Sequence, residues 1–97
     1  MYRLYALFDN KANTTFGPVM TCRTQAEALR YFGDITADPQ SLPGKHTGDF
    51  DLIELATYDE NSGIIVGHQK GPETIITGKT ILDLRTRAVD DPNMRIA

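Results

Sequence analysis

Residues 2–9, YRLYALFD, alternate with period two: Tyr2, Leu4, Ala6 and Phe8 fall on one face, and Arg3, Tyr5, Leu7 and Asp9 on the other. Successive side chains of an extended chain point to opposite sides, so this alternation predicts a strand. The turn-forming NKANTT follows, and FGPVMTCR over residues 16–23 resumes the apolar alternation. Pro18 has no amide hydrogen to give to a ladder, so this second strand is expected at a sheet edge or bulged there.

Thr24 is suited to cap a helix N-terminus, and Glu27 three residues on completes a capping box. In QAEALRYFGDI, residues 25–35, Ala28, Leu29, Phe32 and Ile35 share a face, while Gln25, Glu27, Arg30 and Asp34 stay in water. The spacing predicts an amphipathic helix packed on the sheet. TADPQSLPGKHTG, residues 36–48, has no period and is expected to be a long loop.

DFDLIELATYD, residues 49–59, is the clearest later strand. ENSG follows as a turn in which Asp59 braces the backbone and Gly63 takes the left-handed conformation, and IIV at 64–66 returns as the partner. Beyond Gly67 the pattern weakens. A strand is expected at 74–77, and periodicity does not separate strand from short helix over 80–85.

These elements predict a single α+β domain over residues 1–97: an antiparallel sheet of about four strands with one main amphipathic helix on it, in the order ββαββ. The ordered core is expected over about 1–84, with a loose tail at 86–97.

Charge changes the picture in one place. The net charge of −3 opposes electrostatic nucleic-acid binding. Yet Asp49, Asp51, Glu54, Asp59 and Glu60 all lie between His46 and Gly67, where there is no Lys or Arg. The acidity therefore belongs to one hairpin, with the acids expected at its start, its solvent side and its turn. Duplex DNA would be repelled there; the hairpin instead suits a solvated face, a guarded sheet edge or a basic partner.

Cys22 is the single cysteine, so an intrachain disulfide is excluded and a small buried hydrophobe is expected. No window approaches the ~20 apolar residues of a membrane helix, and the N-terminus lacks a secretory signal pattern. The expected compartment is a cytoplasm.

Gly78-Lys79-Thr80 matches the end of a phosphate-binding loop, but Glu73 stands where the motif requires its first glycine, and TIIT between them is too stiff for an anion nest. His46 and His68 each flank a glycine with acids nearby. Without an H-x-x-x-H spacing, paired cysteines or a nucleophile elbow, they are expected to be surface-loop residues. No catalytic residue, metal ligand or cofactor is expected. Arg3 and Tyr5 place a cation beside an aromatic, a pairing able to stack bases and hold phosphates on an open sheet. The competing reading puts Tyr5 and Leu7 under a second core layer or a dimer interface.

The blocks YRLYALFDNKA, FGPV, the capped helix, and DP…KHTGDFDLIELATYDENSGII, taken in order, resemble the small nonstructural protein of gokushovirus-like Microviridae, phages with circular single-stranded DNA. The likeness covers about residues 2–66. The chain departs from the family pattern at Thr47-Gly48 and at Ala56. The resemblance implies a nonstructural, DNA-binding accessory protein of single-stranded DNA genome replication in the bacterial host's cytoplasm, and it attaches no catalytic residue. The expected function is weak single-stranded DNA binding by a homo-oligomer that gathers Arg3, Tyr5, Lys11 and Arg23 on one surface. The alternative is a module that contacts a host or phage replication protein through Asp49, Asp51, Glu54 and Asp59.

Overall fold

The structure is a computed structural model that describes residues 1–90. The first alternating segment forms β1, Tyr2–Asp9, and becomes the centre of the sheet. It pairs antiparallel with β2 (Thr14–Cys22) on one side and β3 (Phe50–Asp59) on the other. Two shorter strands share the far edge of β3: β4 (Ile64–Gly67) along residues 56–59, and β5 (Glu73–Thr77) along residues 51–54.

β2 is an edge strand, and its register against β1 jumps between the Tyr5–Met20 and Leu7–Phe16 pairs. The jump contains Gly17, at φ +75°, and Pro18, so both expected consequences of that proline occur together. Gly63, at φ +77°, closes the β3–β4 turn.

α1, Gln25–Ala37, begins as its capping residues dictate. Thr24 Oγ1 accepts from the Glu27 amide at 3.3 Å, and the Glu27 carboxylate accepts from the Arg23 amide. Ala28 and Phe32 are buried on the sheet, and Leu29 and Ile35 pack beside them. The core is the odd face of β1 with its neighbours: Tyr5, Leu7, Cys22, Phe50 and Leu52 beneath Ala28 and Phe32. Cys22 is 8% exposed, and burial pushes its thiol pKa up, as a small hydrophobe requires.

Two expectations need correction. The segment after α1 is not a featureless loop; it forms a short helix α2 (Leu42–Lys45) and a 3-10 turn (Thr47–Asp49). Side-chain hydrogen bonds build it: Ser41 Oγ donates to Ile35 O at 2.6 Å and accepts from the Gly44 amide, and Thr47 Oγ1 donates to Pro43 O. Such bonds satisfy the backbone without periodicity, so no pattern announces them.

The second correction is at the C-terminus. The ambiguous segment is a 13-residue helix α3, Gly78–Asp90, so residues 86–90 continue a helix where a loose tail was expected; 91–97 lie outside the described residues. The α+β antiparallel architecture stands, with five strands instead of four and a second long helix. Arg85 of α3 donates to Gly33 O at 3.2 Å, Thr36 O at 3.2 Å and Thr36 Oγ1 at 2.9 Å. α1 has no basic residue in its own last turn, so Arg85 supplies the cation that its C-terminal carbonyls favour. Arg85→Ala is expected to cost about 1–3 kcal/mol, measured as a shift in the urea midpoint, because charged hydrogen bonds to a buried threonine and helix carbonyls are lost together.

Candidate functional site

β1 sends its odd residues into the core and its even residues to the opposite face. Apolar residues of both long helices, Leu29 and Ile35 of α1 and Ile81 of α3, pack on the odd-face cluster. The even face is therefore the open face of the sheet.

β3 carries a β-bulge. Leu4 pairs with Ala56 and Tyr5 with Glu54, leaving Leu55 extra. One extra residue exchanges the faces of everything beyond it. Strict alternation would send Tyr58 to the same side as Leu52 and Glu54; the bulge sends it to the open face, directly opposite Tyr2. The two rings stack at 6.3 Å between centroids with 27° between planes. Arg23, at the end of β2, lies over the Tyr2 ring at 5.5 Å and donates through Nε to Tyr2 Oη at 3.3 Å. Two aromatic rings and an exposed guanidinium thus form one patch. Further along the same face, Phe8, Thr15, Ile53, Leu55 and Pro72 line an open apolar groove of about 280 Å³.

The N-terminal ammonium forms a 2.9 Å ion pair with Glu60 at the patch's end and holds that carboxyl below its usual range. Asp59, in the adjoining turn, is also lowered, chiefly by the Asn61 amide.

On the helix side of the sheet a second group gathers around Glu54. Glu54 is 3% exposed and stands directly across from Tyr5 on one side and Glu73 on the other. Its Oε2 is 3.7 Å from Arg3 Nη1, and its Oε1 is 3.4 Å from His68 Nε2. Among the described residues, His68 Nε2 and Tyr5 Oη are both buried atoms without a well-formed hydrogen bond. Burial first, and the Glu54 charge second, raise the Tyr5 pKa. Next to this group, the segment from His68 to Glu73 bounds an open concavity of about 520 Å³.

The expected nucleic-acid residues do not form one surface. Tyr5 is 0% exposed in the core and cannot stack a base, because odd positions of β1 face the helices. Arg3 shares that face and leans on Glu54. Lys11 is exposed in the β1–β2 turn, at the opposite end of β1 from Arg23. Arg23 alone joins aromatic rings, and they are Tyr2 and Tyr58. Sequence reasoning placed Tyr2 on the even face, but the bulge that brings Tyr58 opposite it leaves no pattern in the alternation.

The acids of the hairpin are also dispersed. Glu54 is interior, which corrects its placement on a solvent side. Asp51 accepts from Asn10 Nδ2 at 2.8 Å and from the Gly78 amide, so it braces the start of α3. Asp49 O accepts from the Asn10 amide, and Asp59 shapes its turn by accepting from the Asn61 amide. Asp49 precedes the ten-residue β3 and Asp59 ends it, about 30 Å apart by the strand's rise. Gly78-Lys79-Thr80 begins α3 directly after β5, with Thr77 Oγ1 accepting from the Thr80 amide, and no glycine-rich loop precedes it.

Among the described residues no helix is long and apolar enough to cross a membrane. No curated protein and no solved structure matches the chain. A family of phage proteins does match, over residues 2–81, more than four-fifths of the length and every strand of the sheet. The chain belongs to the Phage ORF5 protein family.

Proposed function

We propose that this phage protein is a non-enzymatic, nonstructural accessory factor of single-stranded DNA genome replication in the cytoplasm of the bacterial host, and that it binds single-stranded DNA weakly on the open face of its sheet. The observation that carries this reading is the Tyr2–Tyr58–Arg23 patch: stacked rings with a guanidinium over one of them. Bases splayed from an unpaired strand stack on such rings and cations hold the phosphates between them, whereas a duplex keeps its bases inside. One arginine at the patch on an acidic chain favours low affinity. Ile64, Ile65 and Val66 of β4 are each about 60% exposed, an apolar edge that supports association with a second copy and would lengthen the DNA-binding face.

The competing reading, contact with a replication protein through Asp49, Asp51, Glu54 and Asp59, has less support, since Glu54 is interior, Asp51 braces the start of α3 and Asp59 braces its turn.

Fluorescence anisotropy with labelled single-stranded and duplex oligonucleotides, at low salt and at about 200 mM, tests the proposal. The expected result is salt-sensitive binding that prefers the single strand. Tyr58→Ala should weaken it about tenfold, within the ~1–3 kcal/mol per stacked base. Arg23→Ala should lower the salt slope by about 0.7, one phosphate contact on a single strand. Absence of binding at low salt, or a Tyr58→Ala protein with unchanged affinity, would remove the open face from consideration and return attention to a protein partner.

A further inference from the structure

We infer that Glu54, His68 and Glu73 form a binding site for a divalent transition-metal cation of the Zn2+ type, separate from the open face and independent of DNA binding. Their candidate ligand atoms, two carboxylate oxygens and an imidazole nitrogen, lie within 4.8 Å of one another. A mixed nitrogen and oxygen donor set suits zinc better than magnesium or calcium, which take oxygen alone.

Four features of the group point to a cation. Glu54 and Glu73 are direct cross-strand partners on the same face of the sheet. Like charges placed so destabilise an antiparallel pair, and a metal ion between them reverses the sign of that interaction. Glu54 Oε1 and His68 Nε2 approach to 3.4 Å without hydrogen-bond geometry. That separation is about the edge of a tetrahedron whose bonds are about 2.0–2.1 Å, the usual Zn–N and Zn–O lengths. Arg3 Nη1 stands beside the other oxygen, Oε2, where it can orient the carboxylate and leave Oε1 for the metal. Lastly, Tyr5 is fully buried and stands directly across from Glu54, and its hydroxyl, with the Arg3 guanidinium near it, makes no well-formed hydrogen bond among the described residues. A hydroxyl so poorly bonded at that depth is costly, and a water on the metal or a reoriented Glu54 would satisfy it.

The chain geometry explains how three distant residues meet. Glu54 comes from β3, and His68 follows the last residue of β4, with its amide on Leu55 O at 3.3 Å. Glu73 opens β5, paired opposite Glu54. The His68–Glu73 segment bounds the open concavity of about 520 Å³, so the ion has a path in and room for a solvent ligand. Glu73 is exposed and free to swing inward, which closes the remaining distance.

The test is isothermal titration of the full untagged chain, first stripped with a chelator, with ZnCl2 near neutral pH, repeated with Co2+ for its visible absorption. The expected result is saturable uptake of one ion per chain and a Co2+ spectrum of tetrahedral intensity. Because Glu54→Gln risks the fold, the diagnostic variants are His68→Ala and Glu73→Gln at less buried positions, each expected to weaken uptake at least tenfold. His46→Ala, at the other histidine, should change nothing. The inference is overturned if uptake is not saturable at one ion per chain, if His68→Ala binds as the parent does, or if His46→Ala is the variant that abolishes binding. An intact fold in each variant, checked by circular dichroism, makes loss of uptake attributable to the missing ligand.

Discussion

Tyr5→Phe, in the presence of a chelator, should unfold at a urea concentration equal to or above that of the parent, whereas Tyr5→Ala should lose about 3–5 kcal/mol. The two substitutions separate the ring from its hydroxyl. The ring is 0% exposed and packs with Leu7, Phe32 and Leu52, so truncation opens a cavity at the centre of a small core. A loss of that size is a large part of the ~5–15 kcal/mol that holds an ordinary domain together. Among the described residues the hydroxyl is buried with no well-formed hydrogen bond, Arg3 being its nearest polar neighbour, and removing a poorly satisfied group removes its desolvation cost. The pH dependence should follow. Burial, then the Glu54 charge, raises the Tyr5 pKa in the folded protein above the 10.0 of an exposed tyrosine. The folded state thus favours the neutral phenol; its contribution is complete below about pH 10 and is lost as pH rises through the raised native value. The phenylalanine variant should show a shallower decline on the alkaline side. A Tyr5→Phe protein markedly less stable than the parent under chelation would mean that the hydroxyl is satisfied in solution by some other group.

That residue also marks the boundary between what the sequence discloses and what it does not. Period two over residues 2–9 defined the strand to the residue, and Thr24 with Glu27 defined the start of α1. Those are local signals, carried by adjacent side chains. Whether the odd or even face of β1 meets the helix is decided elsewhere, by how β3 pairs and what covers it. Both faces of β1 are apolar enough to be core, so alternation alone leaves Tyr5 with two readings, a base-stacking ring or a residue under a core layer with Leu7, and the second is the one that holds. β5 and α3 were faint for a related reason. Ile75, Ile76 and Ile81 pack against the core while Leu82 and Leu84 remain exposed, and over the six residues 80–85 that spacing fits a strand as well as a helix.

The two candidate sites depend on pairings of high sequence separation. Tyr2 and Tyr58 stack because Leu55 bulges. Glu54, His68 and Glu73 meet because β4 and β5 share one edge of β3 and the chain between them doubles back. Spacings of 14 and 5 residues match no ligand motif, and only the register of three strands makes them neighbours. Arg23 was legible as an exposed cation at the end of a strand, but its aromatic partners were not.

Gly78→Ala is the other substitution expected to be severe, and its cause is space. A Cβ at Gly78 would overlap the Thr47 carbonyl oxygen and lie 2.5 Å from Phe50 O, both backbone atoms that cannot rotate away. Either α3 or the 3-10 turn must move, and the cost should exceed the roughly 1–3 kcal/mol typical of overpacking. Gly63→Ala provides the contrast. Its φ of +77° makes alanine strained, but no atom lies within 4 Å of the new methyl, so the loss should be about 1–2 kcal/mol. Comparing the two urea midpoints tests whether Gly78 is fixed by packing; equal losses would show that the helix start yields. The consequence for function runs through β5. Gly78 follows Thr77 directly and its amide meets Asp51 of β3, so this contact holds β5 in register beside β3. Displacing it should draw Glu73 away from Glu54 and weaken zinc uptake even at temperatures where the sheet remains folded, while the Tyr2–Tyr58 patch at the other end of β3 keeps its DNA affinity. A Gly78→Ala protein that loses both activities together would instead mean that the two ends of β3 respond as one unit.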